Sequence, residues 1–241
     1  MAARRALSEL LLLLAAVTTT AASAATRRPN ILFVVYDDLR PQLTSFGHAG
    51  MKTPHFDSLA AESLVFHRAY TNYPYCAPSR NSFMSGRMPD HAQDWNFIDS
   101  FRQRCEVALA GSGTGHGKTC KDWEGTTWTA LPEFFKNNGY WTVGQGKLFH
   151  PNLPLDNDNP RSWSVNASDP GGNSGCTCPN APTAEAPFAP MYCALPANTT
   201  CPDVVIADAA VGFLRQWEEE TAAGTQTKPF FVAMGKRKRS S

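Results

Sequence analysis

An α/β fold built on a mostly parallel sheet flanked by helices is what the sequence predicts, and three observations predict it. Ile31–Val35 is five apolar residues in a row, the pattern of a parallel strand covered on both faces. Further short apolar runs recur at Leu64–Phe66, Tyr140–Val143 and Phe230–Met234. Between these runs lie segments with helix start and stop signals and one apolar face, so strands alternate with helices. In open α/β sheets the working residues collect beyond the carboxyl ends of strands, which makes the residues after each run the place to search.

Taken in order, the first strand ends at Tyr36-Asp37-Asp38. Thr53 is placed to cap a helix with Pro54 at its first position, and Phe56, Leu59, Ala60 and Ser63 share one face of it. Leu64–Phe66 reads as the strand that follows. Ser79 is placed to cap a short helix that stops near Gly86. From Asp90 to Trp128 periodicity is weak, with a Gly-rich run from Gly111 to Lys118, and the reading is an irregular surface excursion. Leu131–Asn138 is a helix with Gly139 as its stop, and Tyr140 opens the next strand. Pro151–Pro202 is dense in Pro, Gly, Asn and Cys, a long stapled loop. Asp203 then caps a helix on which Ile206, Ala210, Phe213, Leu214 and Trp217 share a side, and Phe230–Met234 is the last buried strand.

The 241 residues, 42% hydrophobic and 18% charged, supply a core and exclude wholesale disorder. A net charge of +1 gives no electrostatic case for nucleic acid as a partner. Arg4 and Arg5 precede an apolar run, Leu10–Val17, that is too short to span a bilayer. Ala22-Ser23-Ala24 follows as a cleavage site, so residues 1–24 are read as a secretory signal peptide, with a short anchor as the alternative. No later segment supports stable membrane insertion. The expectation is the secretory pathway, with a lysosomal or extracellular destination. Seven cysteines in an oxidising compartment favour disulfides, and the odd number leaves one over. Setting Cys76 aside leaves six for three bridges. The sequons at Asn166 and Asn198 fit a glycoprotein of the same compartment.

Three clusters carry chemistry. Asp37 and Asp38 are hard carboxylates suited to Ca²⁺ or Mg²⁺, or else two turn carboxylates. In Cys76-Ala77-Pro78-Ser79-Arg80 a cysteine sits at a helix start, where anions are favoured, beside a guanidinium fork for oxyanions. The alternative is a structural disulfide cysteine. Lys147 and His150 follow the Tyr140 strand and bring an ammonium and an imidazole to a second strand end, to bind an anion and hydrogen-bond a nucleophile, or to be merely solvated or packed.

Together these clusters carry a resemblance. Cys76–Arg80, continuing through Met84-Ser85-Gly86-Arg87, resembles the first sulfatase signature. Gly139-Tyr140-Trp141-Thr142, continuing through Gly146-Lys147 to His150, resembles the second. Val34–Pro41 resembles the metal-binding start of the same family, and the details are most similar to iduronate-2-sulfatase-like members. The resemblance spans about Pro29 to Met234 and implies an alkaline-phosphatase-like fold, with residues 25–234 as a partial N-terminal catalytic domain.

The resemblance also implies a chemistry, which is formylglycine-dependent, metal-assisted hydrolysis of a sulfate ester, on a sulfated small molecule or glycan. Cys76 would be converted to formylglycine by the formylglycine-generating enzyme, and one hydroxyl of the hydrated aldehyde would attack sulfur while the second helps expel sulfate. Asp37, Asp38 and an oxygen of modified Cys76 would hold one Ca²⁺. Arg80 would hold the hydrate, and Lys147 and His150 would hydrogen-bond hydrate or sulfate. In the relatives the strand matching Phe230–Met234 runs into a His-Lys-Pro-His loop, whereas here Gly235–Ser241 reads as a solvated basic tail. The expectation is a fold incomplete at its C-terminus, lacking further metal ligands, and doubtful in activity. Two rival readings are a related phosphoester or phosphonate hydrolase and a non-catalytic secreted module that binds sulfated glycans.

Overall fold

Three parallel strands position everything that follows. The computed structural model describes residues 28–107, 118–167 and 201–236. The expected signal segment, the Gly-rich run, Asn198, and most of the Pro- and Cys-rich loop and of the basic tail lie outside them. In chain order the elements are β1 (Ile31–Tyr36), α1 (Pro54–Ala61), α2 (Cys76–Ser85), the single turn α3 (Pro89–Ala92), β2 (Gln103–Val107), β3 (Lys118–Asp122), α4 (Leu131–Asn137), β4 (Trp141–Gly146), α5 (Pro202–Ala222) and β5 (Phe230–Lys236). The sheet order is β1-β5-β4, parallel throughout, with Phe33 opposite Ala233 and Gly144 opposite Ala233 on the other side. The last strand in sequence therefore lies in the middle, and the ends of β1 and β4 flank it.

One face of the sheet builds the main core. Phe33 stacks on Phe231 at 6.1 Å, Phe231 on Phe135 of α4 at 4.5 Å, and Phe83 of α2 meets Phe33 edge-on. Trp163, Phe149, Phe101 and Met84 complete that layer, each almost fully buried. The other face is covered by α5, whose Ile206, Ala210 and Trp217 are buried and whose Trp217 packs on Phe230 and Trp141. No helix among the described residues is long and apolar enough to cross a membrane.

Several expectations are corrected. The β1 strand is covered on one face only, because α5 lies over β5 and β4 and leaves Leu32 and Val34 at 51% and 36% exposure. Leu64–Phe66 forms no strand and is exposed, since β1 pairs with β5 and offers it no partner among the described residues. The 90–128 excursion contains the antiparallel hairpin β2–β3. The helix α2 begins at Cys76, three residues before the expected cap. The first N–H groups of a helix have no intrahelical acceptor, so Pro78 is tolerated in that turn, and Ser79 N donates the first bond, to Tyr75 O at 3.0 Å. Tyr75, extended at φ −113° and ψ 144°, is the N-cap residue, and Gly86 closes the helix at φ 66°. Pro202 likewise takes the first position of α5, which makes Cys201 the N-cap and puts Asp203 in the first turn. At its far end β5 runs two residues past the expected Met234.

A buried ion network ties the hairpin to α4 and the loop after β4. Arg102, 3% exposed, donates to Asp158 from Nε at 2.9 Å and from Nη2 at 2.8 Å, and Nη2 also reaches Glu133 at 2.8 Å. Glu133 accepts in turn from Arg161 Nε at 2.7 Å and from the Ala130 N–H, so its carboxylate also closes the first turn of α4. Burial pushes the Glu133 pKa up, but these donors outweigh it and hold it below the usual carboxylate range. Removing Arg102 leaves Glu133 with Arg161 and the Ala130 N–H, but takes from buried Asp158 its cation and leaves it the Ser162 hydroxyl. Arg102→Met is expected to cost about 3–5 kcal/mol in urea unfolding. Adding Glu133→Gln and Asp158→Asn should recover part of that loss.

Asp94 is the opposite case. It is fully buried and neither oxygen has a hydrogen-bond partner. Burial pushes its pKa up to about 7, against the pull of Arg104. Between the unfolded carboxyl pKa and that value the folded chain holds a proton the unfolded chain has released. The contribution of Asp94 to stability therefore declines as pH rises from about 4 to 7, and the full penalty stands above it. Asp94→Asn is expected to raise the unfolding free energy measured in urea by up to about a few kcal/mol above neutral pH, and to leave it unchanged near pH 4. Equal effects at both pH values would contradict this account.

Candidate active site at the strand ends

The carboxyl ends of β1 and β4 and the first turn of α2 converge on one charged site. Asp37 follows β1 directly. Its Oδ1 accepts from Arg80 Nη2 at 3.0 Å and its Oδ2 from Lys147 Nζ at 2.7 Å. Arg80 comes from the buried face of α2 and is itself 2% exposed, and its Nη1 also donates to the carbonyls of Lys147 and Leu148. One guanidinium thus clamps the end of β1 to the end of β4. Burial pushes the Asp37 pKa up, but Lys147 and Arg80 together outweigh it and hold it below the usual carboxylate range. Asp37 is an anion with one cation on each oxygen.

For Lys147 to reach Asp37 the chain has to cross the end of β5, which lies between their strands. Two glycines permit it. The Lys147 N–H donates to Gly235 O at 2.9 Å. A Cβ on Gly235 would sit 1.8 Å from Lys147 O, and one on Gly146 would sit 2.3 Å from Gly235 O. Gly146 also has φ +73°, a conformation that favours glycine.

Cys76, the first residue of α2, is the free cysteine among the described residues, whereas Cys105 and Cys201 are disulfide-bonded. A cavity of about 230 Å³ opens at it. Asp37, Asp38, Cys76 and Arg80 all line this cavity, so four of the six residues singled out in the sequence share one space. Asp38 turns into the left-handed region at φ 51°, which breaks the strand alternation and allows neighbouring carboxylates to face the same cavity. Lys147 touches the site through Asp37. His150 does not line the cavity and stands behind Phe97, ring centroids 5.1 Å apart. Burial, then the charge of Lys147, push its pKa down to about 4, so it is a neutral imidazole, with Nδ1 buried and lacking a hydrogen-bond partner.

The donor set fits a hard divalent cation in kind: two carboxylates, one held ionised, face a common cavity. It does not complete one, because no group of three or more His, Cys, Asp or Glu gathers among the described residues. Reading the sequence did not single out Thr71, Tyr73, Tyr75 and Phe83, which also line the cavity, and gave Ser79, another lining residue, a helix-capping role. The signal for the two tyrosines was their clustering just ahead of Cys76.

Comparison with known proteins gives the chain's family and fold. The family model described as Sulfatase matches residues 29–235. Iduronate 2-sulfatase of Homo sapiens is 32% identical over 218 residues, 87% of this chain and 34% of the relative. N-acetylgalactosamine-6-sulfatase of Homo sapiens is 39% identical over 131 residues, 51% of this chain and 23% of the relative. The chain spans about a third of the length of the iduronate 2-sulfatases it matches. Among solved structures, a protein in complex with its substrate D-glucosamine-2-N,6-O-disulfate aligns with TM-score 0.52 at 19% identity, over 86% of this chain and 34% of that one. A phosphonate monoester hydrolase of Agrobacterium radiobacter aligns with TM-score 0.50 at 17% identity, over 86% of this chain and 40% of that one. At these identities the structural matches speak for the fold: a parallel sheet flanked by helices, of the alkaline-phosphatase-like type that sulfatases share.

The glycine crossing gives a test of the site's assembly. Gly235→Ala drives a methyl group into the Lys147 backbone, so it should cost about 3 kcal/mol or more in urea unfolding. A Gly212→Ala control, at a helical glycine with open space around its Cβ position, should be neutral or slightly stabilising.

Proposed function

The chain belongs to the sulfatase family, and on that premise we propose that it carries the nucleophile-bearing part of a sulfuric ester hydrolase. Its substrate class is a sulfated small molecule or glycan. One observation carries the reading: a free cysteine at the head of a helix shares a cavity with two carboxylates and a buried arginine. Among the described residues Cys105 and Cys201 are disulfide-bonded and Cys76 is free, so the thiol at position 76 is available for modification. The modifying partner is the formylglycine-generating enzyme, encountered in the secretory pathway on the way to a lysosomal or extracellular destination. Formylglycine at this position would supply, as its hydrate, one hydroxyl that bonds to sulfur as the ester S–O bond breaks and the alcohol leaves, and a second whose deprotonation re-forms the aldehyde and expels sulfate. Asp37 and Asp38, with an oxygen at position 76, would hold a divalent ion, Ca²⁺ by their oxygen-donor chemistry, and the bound ion supplies Lewis-acid polarisation.

The chain's own residues do the rest. Arg80 is fixed by Asp37 and two backbone carbonyls, so its charge faces the cavity without reorganisation when a sulfate enters. Lys147 adds a second positive charge beside Asp37. Asp37, Asp38, Arg80 and Lys147 cancel in formal charge, which leaves the charge of a divalent ion to be met by an anionic ester. His150, a neutral imidazole outside the cavity lining, is assigned here a hydrogen bond to the hydrate or sulfate and no proton transfer.

The test is the full chain co-expressed with the formylglycine-generating enzyme. Peptide mass should show the aldehyde at position 76, and any hydrolysis should favour an aryl sulfate over the matching aryl phosphate and vanish in Cys76→Ala. Preference for phosphate would favour the phosphoester or phosphonate reading. A thiol or disulfide at position 76 in protein from its native pathway would remove the hydrolase reading. Sulfated-glycan binding without turnover, unchanged by Cys76→Ala, would leave a binding module.

A further inference from the structure

An aromatic row leads away from the cavity and has no part in the core. Tyr73 and Tyr75 line the cavity beside Cys76, with ring centroids 6.0 Å apart. Tyr75 meets Phe97 at 5.6 Å, and Phe97 meets His150 at 5.1 Å. Tyr75 is 54% exposed and Phe97 43% exposed. Single exposed aromatics need no explanation, but a continuous row beside a charged cavity marks a contact surface.

Size sets the division of labour. The cavity's volume of about 230 Å³ lies below the ~300–1,000 Å³ of pockets that engulf a drug-sized ligand. It takes a sulfate group and leaves the alcohol part of an ester outside. Tyr75 is the residue before Cys76 and caps the same helix, so its backbone position relative to the nucleophile is fixed by one peptide unit. Tyr75 lines the cavity, and Phe97, outside the lining, packs against it.

Resting on the sulfatase reading above, we propose that Tyr75 and Phe97 form a stacking wall for the ring of the sulfated alcohol, selecting a pyranose sulfate over a small acyclic ester. A pyranose has an apolar C–H face that gains by burial on an aromatic surface, and a polar rim that stays in water. Among the described residues the rings follow one another in a chain of pairwise contacts, tilted by 48–49°, which is the arrangement of a wall. A quaternary ammonium group, the other ligand that aromatic rings attract, needs several faces around it. It would also approach the cations Arg80 and Lys147.

Binding to the full chain carrying Cys76→Ala tests this without requiring turnover. The probes are inorganic sulfate, methyl sulfate, a hexose 6-sulfate and choline O-sulfate, followed by calorimetry. The hexose sulfate should bind about 3–10-fold more tightly than methyl sulfate. Phe97→Ala, outside the cavity lining, should reduce that margin with inorganic sulfate affinity unchanged; Tyr75→Ala should reduce the ratio of hexose sulfate to inorganic sulfate affinity, the two together should abolish it, and Tyr75→Phe should retain it. Sulfate binding with no ring-dependent margin, or a margin that survives both alanines, would overturn the wall and leave the sulfatase reading intact. A margin for choline O-sulfate larger than that for the hexose sulfate would overturn it in favour of cation recognition. Failure of inorganic sulfate to bind would bring down the sulfatase reading and the wall together.

Discussion

The Asp37 carboxylate, held by Arg80 on one oxygen and Lys147 on the other, is the contact on which the arrangement depends. Three segments far apart in the chain meet there: the end of β1, the buried face of α2 and the turn after β4. Each cation is buried or nearly so, so neither would tolerate the loss of its partner, and the carboxylate would not stay ionised alone. The three groups fix one another in place. The cost of desolvating Arg80 is offset further because it reaches the end of β4, where the carbonyls of Lys147 and Leu148 supply more acceptors.

That contact constrains the sheet beneath it. The β5 strand sits between the two that must communicate, so communication passes over its end, and two glycines are the price of the crossing. Packing follows the same logic. Phe33, Phe231 and Phe135 stack beneath the site and hold α4 and the strands in register, while the Arg102 network pins the loop after β4, which begins with Lys147 and His150.

Much of the site was legible in the sequence because its residues come in local clusters. Asp37-Asp38, Cys76–Arg80 and Lys147–His150 each follow a strand or open a helix, and those positions can be read from nearest neighbours. The strands β1, β4 and β5 were legible from their apolar runs. What was not legible depends on distant partners. That β5 lies centrally, and that Gly235 is part of it and not of a tail, follows from pairing across most of the chain. Leu64–Phe66 has the composition of a strand but no neighbour to pair with. Gln103–Val107 and Lys118–Asp122 have polar composition and no alternation, and they pair nonetheless. Phe97 lies in an irregular segment, and only the fold brings it to Tyr75 and His150.

The position of Cys76 at the first turn of α2 separates chemistry from folding. Its backbone N–H has no intrahelical acceptor, and the side chain lies outside the close-packed interior that Ala77, Asn81 and Met84 join from the same helix. Under the proposed conversion of the Cys76 thiol to an aldehyde, the change is confined to that one side chain and the packed layers would stay as they are. A chain that missed the conversion would then expose no more of its interior than one that received it, so the two would be told apart by reactivity and not by shape.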